Sequence, residues 1–591
     1  MNDAADVAAL VRSAQERVFR THDGIDLFYR HWPAPEGPAR GAIVLLHRGH
    51  EHSGRMAHLV DEMALPGFAY FAYDARGHGR SPGARGDAPS FMTTVRDVQT
   101  FVDHVAGVHG IAVEDIAIVA QSVGAVAVAT WVHDYAPRLR GMVLASPAFR
   151  VKLYVPFALP GLKLLRKLRG NAFVTSYVKA RFLTRDPGRI ASYDTDPLLS
   201  KRISVNVLLG LQEAADRVVA DAAAIAVPTQ LLVSGADWVV HHAPQHAFFD
   251  RLGATVKERH VLHGFLHDTL GERDRAKAVD LARAFLVRVF DAPVAKPDLD
   301  ADRRGPTREE ADALAAPLPW YSPRAWYWAA TRAGLRVGGV LADGVRVGRT
   351  TGFDSGASLD YVYRDRANGR TPLGRAIDRN YLNAIGWRGV RQRKLDLESL
   401  VREAADRLRA AGAPVVVLDI AAGGARYVID AFAQGPPPDA IVLRDYDEGN
   451  VAKGRDMLAA SGLDGRARFE QGDALDRAGL AAVRPRPTLG IVSGLYELYD
   501  ANAPVRQSLA GLADAIAPGG YLVYTGQPWH PQLELIARAL TSHRQGRAWV
   551  MRRRTQAELD GLVAAAGFRK VAQRVGESGI FTVSLAQRIA P

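Results

Sequence analysis

The chain has 591 residues, of which 48% are hydrophobic and 23% are charged, as in ordinary folded globular proteins. Because one hydrophobic core does not organise so long a chain, we expect two or three domains. The absence of cysteine excludes disulfides, thiolate metal ligands and cysteine nucleophiles. The net charge of +12 comes mostly from scattered arginines, and without a zinc-finger or RNA-binding motif it does not predict nucleic-acid binding.

The first twenty residues carry acidic and basic side chains throughout and have no apolar central run. This composition does not match a secretory signal, so we expect a cytoplasmic protein. No motif predicts a metal site.

In the first half of the chain, short apolar strands alternate with amphipathic helices. A helix is predicted over residues 91–105, where apolar residues recur at helical spacing. Strands are predicted at residues 25–32, 42–47, 68–73, 116–119, 142–145, 230–233 and 259–262. This alternation predicts a parallel sheet covered by helices on both faces.

The pentapeptide Ala120-Gln121-Ser122-Val123-Gly124 lies between an apolar strand and a run of small residues. A serine on a sharp turn from strand to helix projects above the sheet, and small neighbours make such a turn possible. The uncharged run 116–132 is almost long enough to suggest a membrane span. Because Gln121 and Ser122 mark a turn inside it, we predict a buried strand followed by a buried helix.

Three residues follow one another in the chain order of a Ser-Asp-His triad. Ser122 is first, Asp237 comes directly after the strand near residue 233, and His267 lies beyond the last strand. A serine hydroxyl needs an imidazole to take its proton, and a carboxylate orients that imidazole. His263 is the alternative base, but we favour His267 because the additional residues let its ring reach back over the sheet.

Five motifs in order carry a family resemblance over about residues 20–290: HRGHEHSGR, DARGHGRSPGARG, AQSVG, SGADWVV and HGFLHD. They resemble the monoacylglycerol lipase and lysophospholipase branch of the α/β hydrolases, of the serine aminopeptidase S33 type. The resemblance implies that the backbone amides of Gly49 and Val123 form an oxyanion hole. It also implies a helical lid over about residues 147–225, within a hydrolase domain of residues 1–292.

Arg48 departs from that family's pattern, in which a second glycine usually follows the histidine. Its side chain could distort the oxyanion loop, or its guanidinium could pair with a phosphate on the substrate. The second possibility gives the hypothesis that the substrate is a lysophospholipid or a similar anionic ester.

In residues 149–169, apolar blocks alternate with basic residues, namely Lys152, Lys163, Arg166, Lys167 and Arg169. This pattern suits an anionic membrane surface or the mouth of a lipid site, and equally an ordinary solvated lid helix. We therefore expect a cytoplasmic protein that could contact a membrane through its lid.

A proline-rich, charged segment over residues 293–311 is predicted to link the two domains. The second domain, residues 312–591, begins with an aromatic stretch over residues 320–328. We interpret these aromatic side chains as core packing and not as a ligand platform.

Acidic residues follow consecutive strands in the last third of the chain. Asp419 ends the strand 415–418 and opens a loop of small residues containing Ala421 and Gly423; Asp445 and Asp473 follow the next two strands. Small residues let a backbone turn approach a ligand, and an acid after the second strand is placed to bind ribose hydroxyls.

This arrangement resembles a class I S-adenosylmethionine (SAM)-dependent methyltransferase over about residues 400–591, with an N-terminal helical extension. The resemblance implies that Asp419, Ala421 and Gly423 line the methionine end, that Asp445 binds the ribose and that Asp473 lies near the adenine. Alanines replace expected glycines at positions 421 and 425. The absence of G-x-G-x-x-G disfavours a nicotinamide site. Tyr496 and Glu497 follow the strand whose end faces the methyl group, which makes them candidates near the methyl acceptor.

The sequence thus predicts an α/β protein of two domains: an α/β-hydrolase fold with a helical lid, then a Rossmann-like methyltransferase. The predicted function is bifunctional, a serine hydrolase of lipid esters joined to a SAM-dependent methyltransferase whose acceptor is unknown. In one alternative, the C-terminal domain only binds SAM as a regulatory or scaffold module. In another, the first domain is a peptidase or an esterase of other substrates.

Overall fold

The computed structural model describes residues 12–35, 37–176, 178–433, 435–463, 465–544 and 546–590. Residues 1–11, which are 11 of the 20 residues considered for a secretory signal, lie outside them. The chain divides into two compact units, residues 1–296 and 297–591. The division falls inside the segment 293–311, and each unit is described separately.

An eight-stranded sheet forms the centre of the N-terminal unit, in the order β1-β2-β4-β3-β5-β6-β9-β10. All neighbouring strands from β4 to β10 in this order are parallel, whereas β1 and β2 form an antiparallel edge. The strands are β1 (Gln15–Arg20), β2 (Asp26–Trp32), β3 (Gly41–Leu46), β4 (Phe68–Tyr73), β5 (Ile116–Gln121), β6 (Gly141–Ala145), β7 (Phe173–Thr175), β8 (Arg202–Ser204), β9 (Thr229–Ser234) and β10 (Lys257–Leu262).

Helices cover both faces of this sheet, which explains why the central strands are buried along their whole length. The helices are α1 (His58–Glu62), α2 (Phe91–His109), α3 (Val123–Tyr135), α4 (Ala158–Arg169), α5 (Pro187–Thr195), α6 (Val205–Ala220), α7 (His242–Arg251) and α8 (Ala276–Asp291). The uncharged run 116–132 is divided between β5 and α3. In the described part of the chain, no helix combines the length and apolarity needed to cross a bilayer.

The segment between β6 and β9 forms a separate layer, which we call the lid. It contains α4, α5, α6 and the antiparallel pair β7 and β8. No residue of α4 is buried, whereas α6 buries half of its residues. The lid is therefore attached mainly through α6.

The C-terminal unit contains a seven-stranded sheet in the order β13-β12-β11-β14-β15-β17-β16. The first five strands in this order are parallel, and β17 and β16 are antiparallel additions. The strands are β11 (Val416–Asp419), β12 (Ala440–Asp445), β13 (Ala467–Gln471), β14 (Leu489–Val492), β15 (Tyr521–Gly526), β16 (Phe568–Val575) and β17 (Thr582–Arg588). The strand order reverses between β11 and β14, and such a switch point opens a crevice at the carboxyl ends of the strands.

In the described residues of this unit, six helices precede the sheet and six accompany it. They are α9 (Pro306–Ala315), α10 (Pro323–Leu341), α11 (Asp343–Thr351), α12 (Gly356–Arg364), α13 (Pro372–Leu382), α14 (Ile385–Ala410), α15 (Arg426–Phe432), α16 (Glu448–Ser461), α17 (Arg477–Ala481), α18 (Asn502–Ala515), α19 (Leu533–Ala539) and α20 (Gln556–Ala565). The helices α9 to α14, which precede β11, form an N-terminal helical extension of the unit.

The aromatic stretch 320–328 does not pack as predicted. Trp320, Tyr321, Trp326 and Tyr327 are all more than 60% exposed, and only Trp328 is buried. Three consecutive aromatic residues on one helix point in different directions, so they cannot all face a core on one side. The prediction of core packing is therefore wrong for four of the five side chains.

Candidate active sites

The turn at Ser122 has the geometry that its neighbours predict. Ser122 has φ 54° and ψ −114° between β5 and α3, and its N–H donates to the Ala145 carbonyl at 2.9 Å. A Cβ at Gly124 would lie 2.5 Å from the His47 carbonyl oxygen, so only glycine lets α3 begin this close to the neighbouring loop. Ala120 is an ordinary buried residue of β5, which explains why alanine is accepted there.

Ser122, His267 and Asp237 form one chain of hydrogen bonds. His267 Nε2 lies 2.8 Å from Ser122 Oγ, and His267 Nδ1 lies 2.8 Å from Asp237 Oδ2. His263, the alternative base, is exposed on the segment after β10. The structure therefore joins His267, and not His263, to the serine.

The carboxylate of Asp237 is held ionised behind the histidine. Burial alone would raise its pKa, but the charge and hydrogen bond of His267 keep that pKa below its usual value. The N–H groups of Val239 and Val240 also donate to Asp237 Oδ1, at 2.7 and 3.0 Å. A fixed carboxylate of this kind can orient an imidazole and stabilise its charged form.

Gly49 and Val123 line the same cavity as Ser122 and His267. A Cβ at Gly49 would lie 3.1 Å from Cγ2 of Val123, so the two residues are close neighbours. His47 fixes the loop that carries Gly49, because its Nε2 accepts a hydrogen bond from the Ala75 N–H at 3.1 Å. The two residues expected to form an oxyanion hole therefore lie together beside the serine.

Arg48 lies in the cavity wall but has a partner within the protein. It is 4% exposed, and its guanidinium donates to Glu51 at 2.7 Å and stacks 5.6 Å from the centre of the Tyr193 ring. Its Nε has no hydrogen-bond partner. Arg48 is thus paired with a buried carboxylate that Arg55 also contacts at 2.7 Å, an arrangement that sequence reasoning did not anticipate.

Two further residues near the triad were missed by the sequence analysis. Asp268, which follows His267, accepts hydrogen bonds from Gln121 Nε2 at 2.9 Å and from Arg189 Nε of the lid at 2.8 Å. Gln121 and Asp268 are 147 positions apart in the chain. No local pattern could have paired them, although each is adjacent to a predicted triad member.

A cavity of about 480 Å³ opens at the triad and extends under the lid. This volume is in the range of about 300–1,000 Å³ that is usual for small-molecule sites. Its walls are mainly aliphatic, including Leu153, Val155, Leu162, Leu165, Leu208 and Leu211. The site can therefore hold an extended apolar group against the serine.

In the C-terminal unit, Asp419 ends β11 beneath the small-residue loop. Its side chain is fully buried, and it accepts hydrogen bonds from Tyr427 Oη at 2.5 Å and from the Ala421 N–H at 3.3 Å. Burial raises the pKa of Asp419 to about 7, and the nearby charge of Asp445 acts in the same direction. A neutral acid can thus become charged when a cation binds.

Asp445 ends β12 and is tied to the same loop. Its Oδ2 accepts from the Gly423 N–H at 2.8 Å, and its Oδ1 accepts from the Asp447 N–H at 3.0 Å. Gly423 has φ 54°, and no atom lies within 4 Å of the position that its Cβ would occupy. The loop therefore has an open face beside a carboxylate that retains acceptor capacity.

Asp473 lies apart from these two acids. It is exposed on the segment after β13, and its Oδ1 accepts from the Leu475 N–H at 2.8 Å. Among the alanines of the loop, Ala421 only donates to Asp419, but Ala425 has φ 57°, in the left-handed region that favours glycine. The alanine at position 425 therefore retains the expected backbone conformation with some strain.

The two residues named after β14 differ in their surroundings. The Tyr496 hydroxyl donates to Ser508 in the core. Both carboxylate oxygens of Glu497 are buried and lack a hydrogen-bond partner of normal geometry, and Glu497 lines a small cavity with Thr525. Both residues line this cavity, and of the two it is Glu497 that has buried oxygens free to accept from a ligand.

The residues of the C-terminal unit suit SAM as a ligand. The open glycine turn leaves space for it, the acid of β12 can accept from ribose hydroxyls, and the acid of β11 can face an ammonium group. These are the polar groups that the sequence predicted, apart from the exposed Asp473.

Two family models match the chain. One, described as "Serine aminopeptidase, S33", covers residues 37–274, and one described as "Putative methyltransferase" covers residues 282–588. The second match spans more than half of the chain.

Individual relatives agree with these matches. An Escherichia coli (strain K12) protein named "Uncharacterized protein YnbC" is 53% identical over 575 residues, which cover 97% of this chain and 98% of that protein. The human "Monoglyceride lipase" is 30% identical over 42% of this chain and 80% of its own length. The "Monoacylglycerol lipase" of Mycolicibacterium smegmatis is 26% identical over 46% of this chain and 96% of that protein. The chain therefore belongs, over its C-terminal half, to the family described as "Putative methyltransferase", and it carries before that half an α/β-hydrolase domain of the monoacylglycerol lipase type.

Proposed function

We propose that the N-terminal unit hydrolyses carboxyl esters of long acyl chains, with Ser122 as nucleophile, His267 as base and Asp237 as the group that orients the base. The observation that carries this proposal is the Ser122–His267–Asp237 hydrogen-bond chain at the wall of an aliphatic cavity. The names of the human and mycobacterial relatives support the substrate class.

The proposed reaction follows from the positions of these atoms. Ser122 Oγ attacks the ester carbonyl while its proton passes to His267 Nε2, and the alcohol leaves with that proton. Water then attacks the acyl-enzyme, again with His267 as base. The amides of Gly49 and Val123 would stabilise the negative oxygen of each tetrahedral intermediate, and one such donor contributes about 3 kcal/mol.

Monoacylglycerol is the first candidate substrate because the cavity wall is mainly aliphatic and Arg48 already has Glu51 as a partner. A lysophospholipid remains the second candidate, since Arg48 lies in the cavity wall with an unpartnered Nε. A peptidase, which the description of the matching family names, would need polar groups for a peptide backbone. The aliphatic lining favours an acyl chain instead.

The lid is proposed to contact an anionic membrane surface. Leu162 and Leu165 of α4 line the cavity, while Leu164 and Leu168 on the other side of the helix are 56% and 73% exposed. The same helix carries Lys163, Arg166, Lys167 and Arg169. Apolar side chains flanked by cations favour a bilayer with anionic lipids, from which a substrate could enter.

For the C-terminal unit, we propose SAM-dependent methyl transfer to an acceptor that remains to be identified. When bound, SAM supplies an activated methyl group. Asp445 would accept hydrogen bonds from the ribose, Asp419 and the loop at Ala421 and Gly423 would hold the methionine end, and Asp473 would lie near the adenine. The chain contributes mainly positioning, which is the main source of catalysis in such a transfer. In the alternative, this unit binds SAM without turnover, as a regulatory module.

The test is a paired measurement on wild type and Ser122→Ala. We expect long-chain monoacylglycerol hydrolysis to fall by about 10⁴-fold or more in the variant, while calorimetric SAM affinity is unchanged. Hydrolysis retained by Ser122→Ala would refute the proposed nucleophile.

A panel of acyl lengths and head groups, assayed also with Arg48→Met, distinguishes the two substrates. Incorporation of labelled methyl groups into lipid extract distinguishes turnover from binding alone.

A further inference from the structure

Among the described residues, no carboxylate is in direct contact with Arg393, a buried cation of α14. Its side chain is 5% exposed, its Nε has no hydrogen-bond partner, and no carboxylate oxygen of the described residues lies within 4.0 Å of it. The face of its guanidinium is covered by Phe581, whose ring centre is 4.9 Å away. Burying a charge without a partner is costly, so such a residue normally receives an anion from elsewhere.

The position of Arg393 is next to the end of β14, where the strand order reverses. Both terminal nitrogens lie 3.5 Å from the point that a Cβ at Gly494 would occupy. Gly494 follows β14, and β14 pairs directly with β11, so that Ile491 is opposite Asp419. The guanidinium is therefore close to the carboxyl end of the strand that carries Asp419.

Side-chain interactions connect Arg393 to the same place. Tyr427, which donates to Asp419, interacts electrostatically with Arg393. Burial opposes the charged form of Arg393, but Tyr363 and Glu497 favour it strongly enough to raise the pKa of the guanidinium. Arg393 thus remains charged close to Asp419, the acid that ends β11 in the proposed SAM site.

We propose that Arg393 binds the α-carboxylate of the methionine end of SAM, while Asp419 faces its ammonium group. The inference rests on the proposed SAM site and adds to it the residue that recognises the carboxylate. A planar guanidinium can bind a carboxylate with two parallel hydrogen bonds, which gives both strength and direction. It also gives the helical extension a role, because α14 supplies this guanidinium to the sheet edge at Asp419.

The test compares the calorimetric affinities of SAM and decarboxylated SAM for the full-length protein. We expect the wild type to bind SAM at least about tenfold more tightly, a difference of about 1.4 kcal/mol, because only SAM presents a carboxylate to Arg393. In Arg393→Met this ratio should fall to within about twofold, with little change for the decarboxylated compound. Equal affinities in the wild type would overturn the proposal without any variant.

A control and a second variant separate recognition from folding. Arg391→Met changes an arginine two residues away that donates to the Leu382 carbonyl, and it should leave the ratio unchanged. Arg393→Lys keeps the charge without the planar fork and should give an intermediate ratio. If Arg393→Met weakened both compounds equally, Arg393 would be structural and the proposal would be wrong. If the wild type bound neither compound nor S-adenosylhomocysteine, the proposed SAM site itself would fail.

Discussion

Gln121 Nε2 lies 2.9 Å from Oδ1 of Asp268, so the residue before Ser122 is joined to the residue after His267. This hydrogen bond is buried, and it connects the turn that carries the nucleophile to the loop that carries the base. Asp268 also binds Arg189 of α5, which in turn lies near Glu51 beside Arg48. The distance between Ser122 and His267 is thus fixed by side chains that take no part in the proposed reaction.

We predict that Gln121→Leu lowers kcat for ester hydrolysis about tenfold with little change in KM. The apolar side chain removes the hydrogen bonds of Gln121 to Asp268 and to the His267 carbonyl, and small displacements of reacting groups cost up to about 10²-fold in rate. Gln99→Leu is the control, because the Gln99 side chain also makes two hydrogen bonds but away from the triad: it accepts from Trp131 Nε1 at 2.7 Å and donates to Asp103 at 2.8 Å. Equal kcat values for wild type and Gln121→Leu would show that the bond does not position the triad.

Ala425→Gly should stabilise the C-terminal unit by about 1 kcal/mol. Ala425 has φ 57°, where an L-residue is strained and glycine is not. Ala433, at the end of the same helix, has φ −63° and is exposed, so Ala433→Gly should instead lower stability by about 0.5–1 kcal/mol. Denaturant unfolding of both variants checks the opposite signs; a loss at both positions would mean that burial of the Ala425 methyl outweighs its strain.

The sequence was sufficient for the fold and for the residues joined at Ser122 because these depend on local patterns. A buried strand, a tight turn and a small-residue helix specify the elbow at Ser122, and strand ends place Asp237 and His267 near it. The bond between Gln121 and Asp268 and the pairing of Arg48 with Glu51 depend on which side chains meet after folding. The same limit applies to Arg393, because only the folded structure shows that none of the described carboxylates lies within 4.0 Å of it.

Composition was a weaker guide than spacing in the aromatic stretch. Trp326, Tyr327 and Trp328 are similar in residue type, but α10 turns about 100° per residue. Of these three side chains, only that of Trp328 is therefore buried. The loop alanines illustrate the same point, because Ala421 and Ala425 differ in backbone conformation and not in residue type.

Leu164→Asp combined with Leu168→Asp should abolish most binding to vesicles of phosphatidylglycerol. The two leucines form the exposed apolar side of α4, so carboxylates there remove apolar burial and repel the anionic surface. Hydrolysis of a short soluble ester should be unchanged, because these side chains do not line the cavity. Val108→Asp introduces a charge at an equally exposed apolar residue outside the lid and serves as the control. Undiminished sedimentation of the double variant with vesicles would exclude α4 as the contact.

SAM affinity should rise between pH 5.5 and 7.5 because of Asp419. Burial raises the pKa of this acid to about 7, so below that pH the unligated protein carries it mainly in the neutral form. An ammonium group binds the ionised form better, so binding releases a proton, and affinity should rise by up to about tenfold per pH unit before levelling off above pH 7. Without ligand, the free energy of unfolding should change with pH in the opposite direction. The stabilising contribution of neutral Asp419 is fully present below about pH 4 and is lost as the pH rises through about 7.

Calorimetry in buffers of different ionisation enthalpy measures this proton release directly. Asp419→Asn should bind SAM weakly and with little pH dependence over the same interval, since the amide carries no titrating charge. It should also be more resistant than wild type to thermal unfolding at pH 7.5, because the variant does not bury an ionising acid. A wild-type affinity that is constant from pH 5.5 to 7.5 would mean that Asp419 does not face the ammonium group, and Asp445 would then be the acid to examine by the same substitution.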